Sequence, residues 1–105
     1  MMKPLSMKEA PLIKAVLRSK IESEKPHKEL PIHPRNEAIM MRYGISAKFL
    51  YIIVRDAPIR SIRMDAGYVV TYEYSLRSQR LIVEVVLRKD KHGLEASIEN
   101  LRVKN

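Results

Sequence analysis

The sequence lacks cysteine and tryptophan, and its longest uninterrupted apolar run covers only residues 49–54. Without cysteine, the chain has no disulfide, no thiolate nucleophile and no cysteine-based zinc or iron–sulfur site, which is typical of proteins from a reducing compartment. A membrane-spanning helix needs about 20 apolar residues, and a secretory signal needs an N-terminal apolar stretch that is missing here. We therefore expect a cytoplasmic protein with no membrane partner.

Glycine and histidine are also scarce. The three glycines are isolated turn residues, so the sequence has no glycine-rich loop of the kind that cradles phosphates. The only imidazoles are His27, His33 and His92, all in segments that we expect to be loops. Their spacing matches neither a pair of a catalytic nucleophile and a general base nor a set of metal ligands. We expect no cofactor, no metal ion and no catalytic residue that the sequence alone identifies.

Amide side chains are few, with Gln79 as the single glutamine and asparagine only at Asn36, Asn100 and Asn105. Such a depletion of heat-labile residues is typical of thermophile proteins. The six methionines indicate the opposite, because methionine is depleted in those proteins as well. The composition therefore gives two opposed indications about a thermophilic source.

Positive charge is the strongest functional signal in the composition. Lys and Arg number 20 against 12 Asp and Glu, which gives a net charge of +8 and an isoelectric point near 9.9. A basic domain binds polyanions, because neutralising phosphates releases the counterions condensed on nucleic acid. We expect a small basic protein that binds nucleic acid mainly through the phosphate backbone, with RNA and DNA equally open.

The N-terminal half predicts helix and loop within a single domain over residues 1–105. Residues 1–10 are expected to be a flexible N-terminus. Apolar residues then recur at steps of three and four from Pro11 to Ser23, which predicts an amphipathic helix that begins at the proline. Three prolines within residues 25–35 predict an extended basic loop without helix.

The segment after this loop contains one clear helix and one ambiguous stretch. Asn36 is a favourable N-cap for a short helix that ends at Gly44. In residues 46–55, Ser46 would cap another helix, whereas the aromatic and β-branched residues of 49–54 favour a buried strand. We predict the strand.

The sequence Arg42-Tyr43-Gly44-Ile45-Ser46, with Ile39 before it and Leu50 and Ile53 after it, resembles the helix-turn-helix pattern of bacterial and archaeal DNA-binding proteins. The resemblance implies that residues after Ser46 form a recognition helix in the major groove. The sequence departs from the pattern in its bulky Met40 and in the apolar character of Phe49, Tyr51 and Ile52 on that helix. Helix-turn-helix DNA binding around residues 36–54 is thus a variant of the leading hypothesis.

The C-terminal half, residues 59–103, predicts an antiparallel meander. Candidate strands at 59–64, 68–76 and 80–88 are separated by turn residues, and a last strand extends to Val103. Alternation in the two central strands gives each one apolar and one mixed side. The fold class is therefore α+β, with an N-terminal helix or helices packed on an antiparallel β-meander of three to five strands.

The tyrosines and the acidic residues of these strands suggest which side binds a partner. Tyr72 and Tyr74 lie on the apolar side, where we expect a covering helix and a place in the core. The alternative is a base-stacking platform on an open sheet. The mixed side carries Glu73 and Glu84, which are expected to repel phosphate.

Nucleic-acid contacts are expected from basic residues of the proline-rich loop, of the segment around Gly44 and of the two hairpin tips. These residues are Lys25, Lys28, Arg35, Arg42, Lys48, Arg77, Arg80, Lys89 and Lys91.

Two other function classes remain open. A small toxin-like ribonuclease would use His27 or His33 as acid or base, with Arg35 or Arg42 stabilising the charge of the phosphorane. A protein-interaction or homo-oligomeric module would use an exposed sheet edge, and its basic charge would serve solubility.

Overall fold

The computed structural model describes residues 7–105 and confirms the α+β class, with helices followed by a four-stranded antiparallel meander in the order β1-β2-β3-β4. The helices are α1 (Ala10–Ile21), α2 (Pro26–Glu29), α3 (Glu37–Tyr43) and α4 (Ala47–Asp56), with 3-10 turns at Met7–Glu9 and Pro34–Asn36. The strands are β1 (Ser61–Met64), β2 (Tyr68–Leu76), β3 (Gln79–Asp90) and β4 (Gly93–Lys104). None of the helices in residues 7–105 is long and apolar enough to cross a membrane.

The prediction of a flexible segment over residues 1–10 is wrong for its last part. Residues 1–6 lie outside the described residues, but Met7–Glu9 forms a 3-10 turn and Ala10 begins α1. The reason is that Pro11 fits the first turn of a helix, where its missing N–H has no intrahelical partner to lose. The predicted helix over 11–23 is thereby confirmed with slightly earlier bounds.

The sheet is held in a continuous register along β2, β3 and β4. Tyr68 pairs with Leu87 and Leu76 with Gln79, so the β2–β3 turn contains only Arg77 and Ser78. β3 and β4 pair along their whole length, with one irregularity opposite Glu84 and Val85. The uncertain C-terminal segment is therefore a strand, as predicted, and the register fixes which side chains share a face.

The core lies between the helices and one face of this sheet. Strand residues such as Val70, Leu81 and Val83 are fully buried there against Leu17 of α1 and Leu50 of α4. Lys14 of α1 also donates a hydrogen bond to the carbonyl of Ala57, at the C-terminal end of α4. A cation at this end favours the helix, because the last carbonyls carry the negative end of its dipole.

The strand predicted for residues 46–55 is wrong, because this segment is α4. The Ser46 hydroxyl accepts a hydrogen bond from the Phe49 amide at 3.1 Å, which caps the helix. Leu50, Ile53 and Val54 then face the core at helical spacing. The cap and the burial of one helical stripe outweigh the strand preference of β-branched and aromatic residues.

The proline-rich segment is not the helix-free extended loop that the sequence predicts. Pro26 begins α2 and Pro34 begins a 3-10 turn, positions at which proline loses no hydrogen bond. Between them the chain is extended and pairs with the outer edge of β4: the Ile98 amide donates to the Pro31 carbonyl at 2.8 Å and the His33 amide donates to Ile98 at 2.9 Å. The segment therefore covers part of a sheet edge.

Asn36 completes this edge and is 1% exposed. Its side chain makes no N-cap bond to α3, in contrast to the sequence prediction. Instead, its Oδ1 accepts from the Leu101 amide at 3.0 Å and its Nδ2 donates to the Glu99 carbonyl at 3.3 Å. Burial against β4 gives the amide two backbone partners at once, so tertiary contact replaces the local cap.

Candidate functional site

The side of the sheet opposite the helices carries the most concentrated charge in the described chain. No helix of residues 7–105 packs on it, and we call it the open face. It is formed by alternate residues of the four strands: Ser61, Arg63, Val69, Thr71, Glu73, Ser75, Arg80, Ile82, Glu84, Val86, Arg88, Asp90, Glu95, Ser97, Asn100, Arg102 and Lys104.

Glu84 forms the central cluster of the open face. Its carboxylate accepts a hydrogen bond from Arg63 Nη2 at 2.7 Å and from Asn100 Nδ2 at 3.0 Å, and Arg102 Nη2 lies 3.8 Å away. Burial alone would raise the pKa of Glu84, but the hydrogen bonds from Arg63 and Asn100 and the charges of Arg63 and Arg102 outweigh burial and lower it. The carboxylate is therefore ionised and holds two guanidinium groups beside it.

A second cluster lies towards the β2–β3 turn. Glu73 accepts from Arg80 Nη1 at 3.0 Å, and Arg60 Nε approaches its other oxygen at 3.6 Å. The side chains of Arg80 and Arg60 are 68% and 72% exposed. One carboxylate therefore positions two arginines that remain accessible to a ligand.

The third cluster lies towards the β3–β4 turn. Arg88 Nη1 is 3.2 Å from Glu99 Oε1. The register places Asn100 opposite Glu84 and Ile98 opposite Val85, so Glu99 is the extra residue of a bulge. Bulges redirect side chains, and this one brings the Glu99 carboxylate to Arg88.

The clusters carry a net positive charge, because five arginines share three glutamates, and the carboxyl groups of Asp90 and Glu95 lie on the same side at the β3–β4 end. A guanidinium has five N–H donors, so one carboxylate uses only part of its hydrogen-bonding capacity. The sequence analysis treated Glu73 and Glu84 as residues that repel phosphate. In the structure their charge is already paired, and they orient arginines.

The clusters also form a row. Arg80, Glu84 and Arg88 lie on the same side of β3 at intervals of four residues. With a rise of about 3.3 Å per residue, the backbone positions of Arg80 and Arg88 are about 26 Å apart, whereas Glu73, opposite Ile82, and Glu99, next to Asn100, lie closer to Glu84. We call the five arginines Arg60, Arg63, Arg80, Arg88 and Arg102 the arginine row.

The structure divides the residues that the sequence proposed for nucleic-acid contact, and of these only Arg80 belongs to the open face. Arg77 lies in the β2–β3 turn, whereas Lys89 and Lys91 lie at the other end of β3, about 30 Å away for nine residues of strand. The remaining residues lie on the helical side of the molecule: Lys25 and Lys28 at α2, Arg35 in the second 3-10 turn, Arg42 in α3 and Lys48 in α4.

Sequence reasoning missed most of the arginine row. Arg63 is opposite Val69 and Arg102 is opposite Ile82, so both join the open face only through cross-strand register. The turn lengths alone do not reveal them: a three-residue β1–β2 turn sets the position of Arg63, and without the bulge at Glu99 the two-residue β3–β4 turn would place Arg102 on the covered face.

The tyrosines of β2 lie on the helix-covered face. Tyr72 is fully buried, with the Lys14 ammonium 5.6 Å from its ring centroid, and this confirms its predicted place in the core. Tyr74 is 40% exposed and makes an edge-to-face contact with Phe49 at 5.2 Å. The core prediction is therefore wrong for Tyr74, whose ring contacts Phe49 in the first turn of α4 but remains partly exposed.

The helices α3 and α4 follow one another across Gly44 in helix-turn-helix order. However, Tyr51 on α4 is 8% exposed, and Arg55 is bound to the neighbouring Asp56 at 2.9 Å. The outward side of α4 presents Lys48 and the apolar Ile52. This side offers few of the polar groups that read base edges in a major groove.

A cleft of about 540 Å³ lies between α1, α2 and the β3–β4 hairpin. Its lining includes Lys20, Lys28, Asp90, His92 and Glu95. A hydrogen bond between the two carboxyl groups raises the pKa of Glu95 and lowers that of Asp90. The cleft therefore contains an imidazole, two ammonium groups and a pair of interacting carboxyl groups.

The other two histidines are engaged elsewhere. His27 Nδ1 is 3.2 Å from the Tyr51 hydroxyl, and His33 Nδ1 accepts from both the amide and the Nε of Arg35 at 3.1 Å. Arg35 is thereby turned towards the histidine ring. Within residues 7–105, no three His, Asp or Glu side chains are arranged to hold a metal ion.

Comparisons with known proteins identify no relative. No protein-family model, no curated protein and no solved structure matches the chain. The functional argument therefore rests on the geometry of the open face and of the cleft.

Proposed function

We propose that the protein binds nucleic acid through the phosphate backbone, using the arginine row on the open face, and that it does so in the cytoplasm without catalysis. The observation that carries the proposal is the set of three clusters in which three glutamates together hold five arginines. Guanidinium groups fixed in this way bind phosphate through parallel N–H donors, and less side-chain entropy is lost on binding.

The exposure of the row supports the same function. Arg60, Arg80, Arg88 and Arg102 are each more than half exposed, although all of them contact a carboxylate. Phosphate contacts of this kind fix the position of a nucleic acid and carry no sequence information directly. The proposal is therefore binding without base readout.

The test is equilibrium binding of labelled oligonucleotides, measured by fluorescence anisotropy over a range of salt concentrations. The logarithm of affinity should fall against the logarithm of salt concentration with a slope of about 3 to 5, because four or five arginines each replace about one counterion. A flat salt response in the wild-type protein would refute phosphate binding.

Charge reversal locates the surface. The double variant Arg80→Glu with Arg88→Glu removes both ends of the row and should weaken binding more than tenfold, since it changes about four units of charge at the contact. The matched control, Arg42→Glu with Lys48→Glu, changes the same charge on α3 and α4, away from the open face, and should weaken binding far less. Equal losses would show that net charge, and not the open face, determines affinity.

RNA cleavage is the second candidate function, and the observation that favours it is the cleft around His92. In that reaction the Glu95 carboxylate would take the proton of the ribose 2′-hydroxyl, which attacks phosphorus, while the His92 imidazolium would protonate the departing 5′-oxygen. Lys20 and Lys28 would stabilise the phosphorane. A wild-type protein that cleaves RNA, and a His92→Ala variant that binds RNA without cleaving it, would establish this candidate over binding alone.

A further inference from the structure

The geometry points to a double-stranded nucleic acid as the ligand of the open face, an inference that rests on the proposed function. The arginine row extends about 26 Å along β3, from Arg80 to Arg88. Every aromatic ring of the chain lies elsewhere. The length of the row favours a stiff ligand, and the placement of the rings disfavours unpaired bases.

The placement of the aromatic residues is the first argument. The chain has one phenylalanine and five tyrosines. Three of them belong to α3 and α4, and the other three, Tyr68, Tyr72 and Tyr74, occupy alternate positions of β2 on the helix-covered face. Proteins that hold single strands stack the bases on aromatic side chains, and sheet-based RNA binders place those rings on the open face.

The side chains between the arginines support the same argument. Val69, Ile82 and Val86 lie at the centre of the open face and are each less than a tenth exposed. Their short aliphatic groups offer unstacked bases no flat surface of the kind that an aromatic ring provides. A duplex keeps its bases stacked on one another and needs no such surface.

The length of the row is the second argument. Arg80 and Arg88 are eight residues apart on β3, so the row extends over about 26 Å. Duplex DNA is stiff over about 150 base pairs and therefore stays straight along the whole row. A flexible single strand would have to be straightened to make the same contacts.

Charge density is the third argument. A duplex presents one phosphate per about 1.7 Å of axis, against about 3.4 Å for each of its strands. The hydrogen bonds to Glu73, Glu84 and Glu99 restrain the arginines, so these side chains adapt little to a ligand. A restrained row therefore meets more phosphates on a duplex than on a flexible single strand.

The test compares a DNA duplex, an RNA duplex and a single strand of the same length and sequence at one salt concentration. We expect at least one duplex to bind about tenfold tighter than the single strand, with one protein per roughly 8 base pairs, the length that the row spans. A single strand that binds as tightly as both duplexes overturns the inference and leaves phosphate binding intact. Failure of the wild-type protein to bind any of the three refutes the proposed function itself.

Two variants sharpen the comparison. Arg88→Ala should lower the salt slope for the duplex by about one, whereas Lys91→Ala, at the same end of the sheet but outside the row, should leave it unchanged.

Ser97→Tyr places a ring on the open face beside Val86. If the lack of stacking is what weakens single-strand binding, this variant binds the single strand severalfold tighter. An unchanged single-strand affinity in a folded Ser97→Tyr protein would contradict the inference.

Discussion

The two faces of the sheet differ in composition: one is apolar and covered by helices, and the other carries paired charges. On the helix-covered face, Val70, Leu81, Val83 and Val85 are fully buried against α1 and α4. On the open face, alternate residues of the same strands include charged groups that are paired in three clusters. Because strand residues alternate in direction, neighbouring residues of β3 contribute to two different faces.

The buried polar groups of the two faces differ in whether they have hydrogen-bond partners. Tyr72 is buried on the covered face, and its hydroxyl has no hydrogen-bond partner among the described residues. Burial raises the pKa of this phenol. Glu84, on the open face, is 7% exposed but has partners on β1 and on β4, Arg63 and Asn100. The covered face therefore depends on packing, whereas the open face depends on pairing.

The largest expected effect is on the covered face. Tyr72→Ala should lower the free energy of unfolding by about 3 to 5 kcal/mol, because it empties a fully buried aromatic site. Urea unfolding followed by circular dichroism measures this loss. Tyr72→Phe is the matched control: it keeps the ring and removes only the hydroxyl, so stability should stay equal or rise slightly. A large loss in Tyr72→Phe would show that the hydroxyl is bonded.

Glu84 gives the next largest effect. Glu84→Gln keeps the shape of the side chain but removes its charge, and it should lower the free energy of unfolding by about 1 to 3 kcal/mol, because Arg63 loses its charged partner. The Nε of Arg63 is already buried without a partner among the described residues. Arg63 is therefore more sensitive to this loss than a fully exposed arginine. Equal stability of Glu84→Gln and wild type in urea would contradict a contribution of the Glu84–Arg63 pair to stability.

The same carboxylate predicts a pH dependence. The pKa of Glu84 is lower in the folded protein than its ordinary value, so the unfolded chain binds a proton at a higher pH than the folded one. This contribution to stability is complete above the unfolded pKa, near 4.3, and is lost as the pH falls through the folded pKa. Stability curves of wild type and Glu84→Gln should therefore converge in this acidic range, and a constant difference between them would exclude Glu84 as the cause.

Much of the fold follows from local patterns in the sequence. The alternation in β2 and β3 and the turn residues between strands predict the meander, and the three- and four-residue spacing predicts α1. Local patterns fail where tertiary contact decides the outcome. Residues 49–54 have strand propensity, yet they form α4 because a helical stripe covers the sheet. Asn36 has the chemistry of an N-cap, yet it binds the edge of β4.

The candidate site is harder to predict from the sequence. Net charge indicates a polyanion ligand, but it does not say which cations lie together. Arg80 and Arg102 are far apart in sequence, and only the pairing of β3 with β4 brings both to the open face. The loops looked more promising because exposed loops often carry function. In the structure, Lys28 lies in α2 and Arg35, in a 3-10 turn, is directed to His33, so neither belongs to the strands of the open face.

The smallest expected effect on stability comes from the arginine row itself. Arg80→Ala should change the free energy of unfolding by less than about 0.5 kcal/mol, because its ion pair with Glu73 is solvent-exposed and such pairs contribute little. Removing a cation also relieves repulsion within a positive face, which offsets part of the lost pairing. The same variant should bind nucleic acid more weakly, with a salt slope lower by about one.

Tyr74→Ala, on the other face, is the counterpart of Arg80→Ala: it should lower stability more than Arg80→Ala does and leave binding unchanged. If Arg80→Ala loses stability and binding together, the open face contributes to stability as well, and the proposed separation of stability and binding between the two faces is wrong.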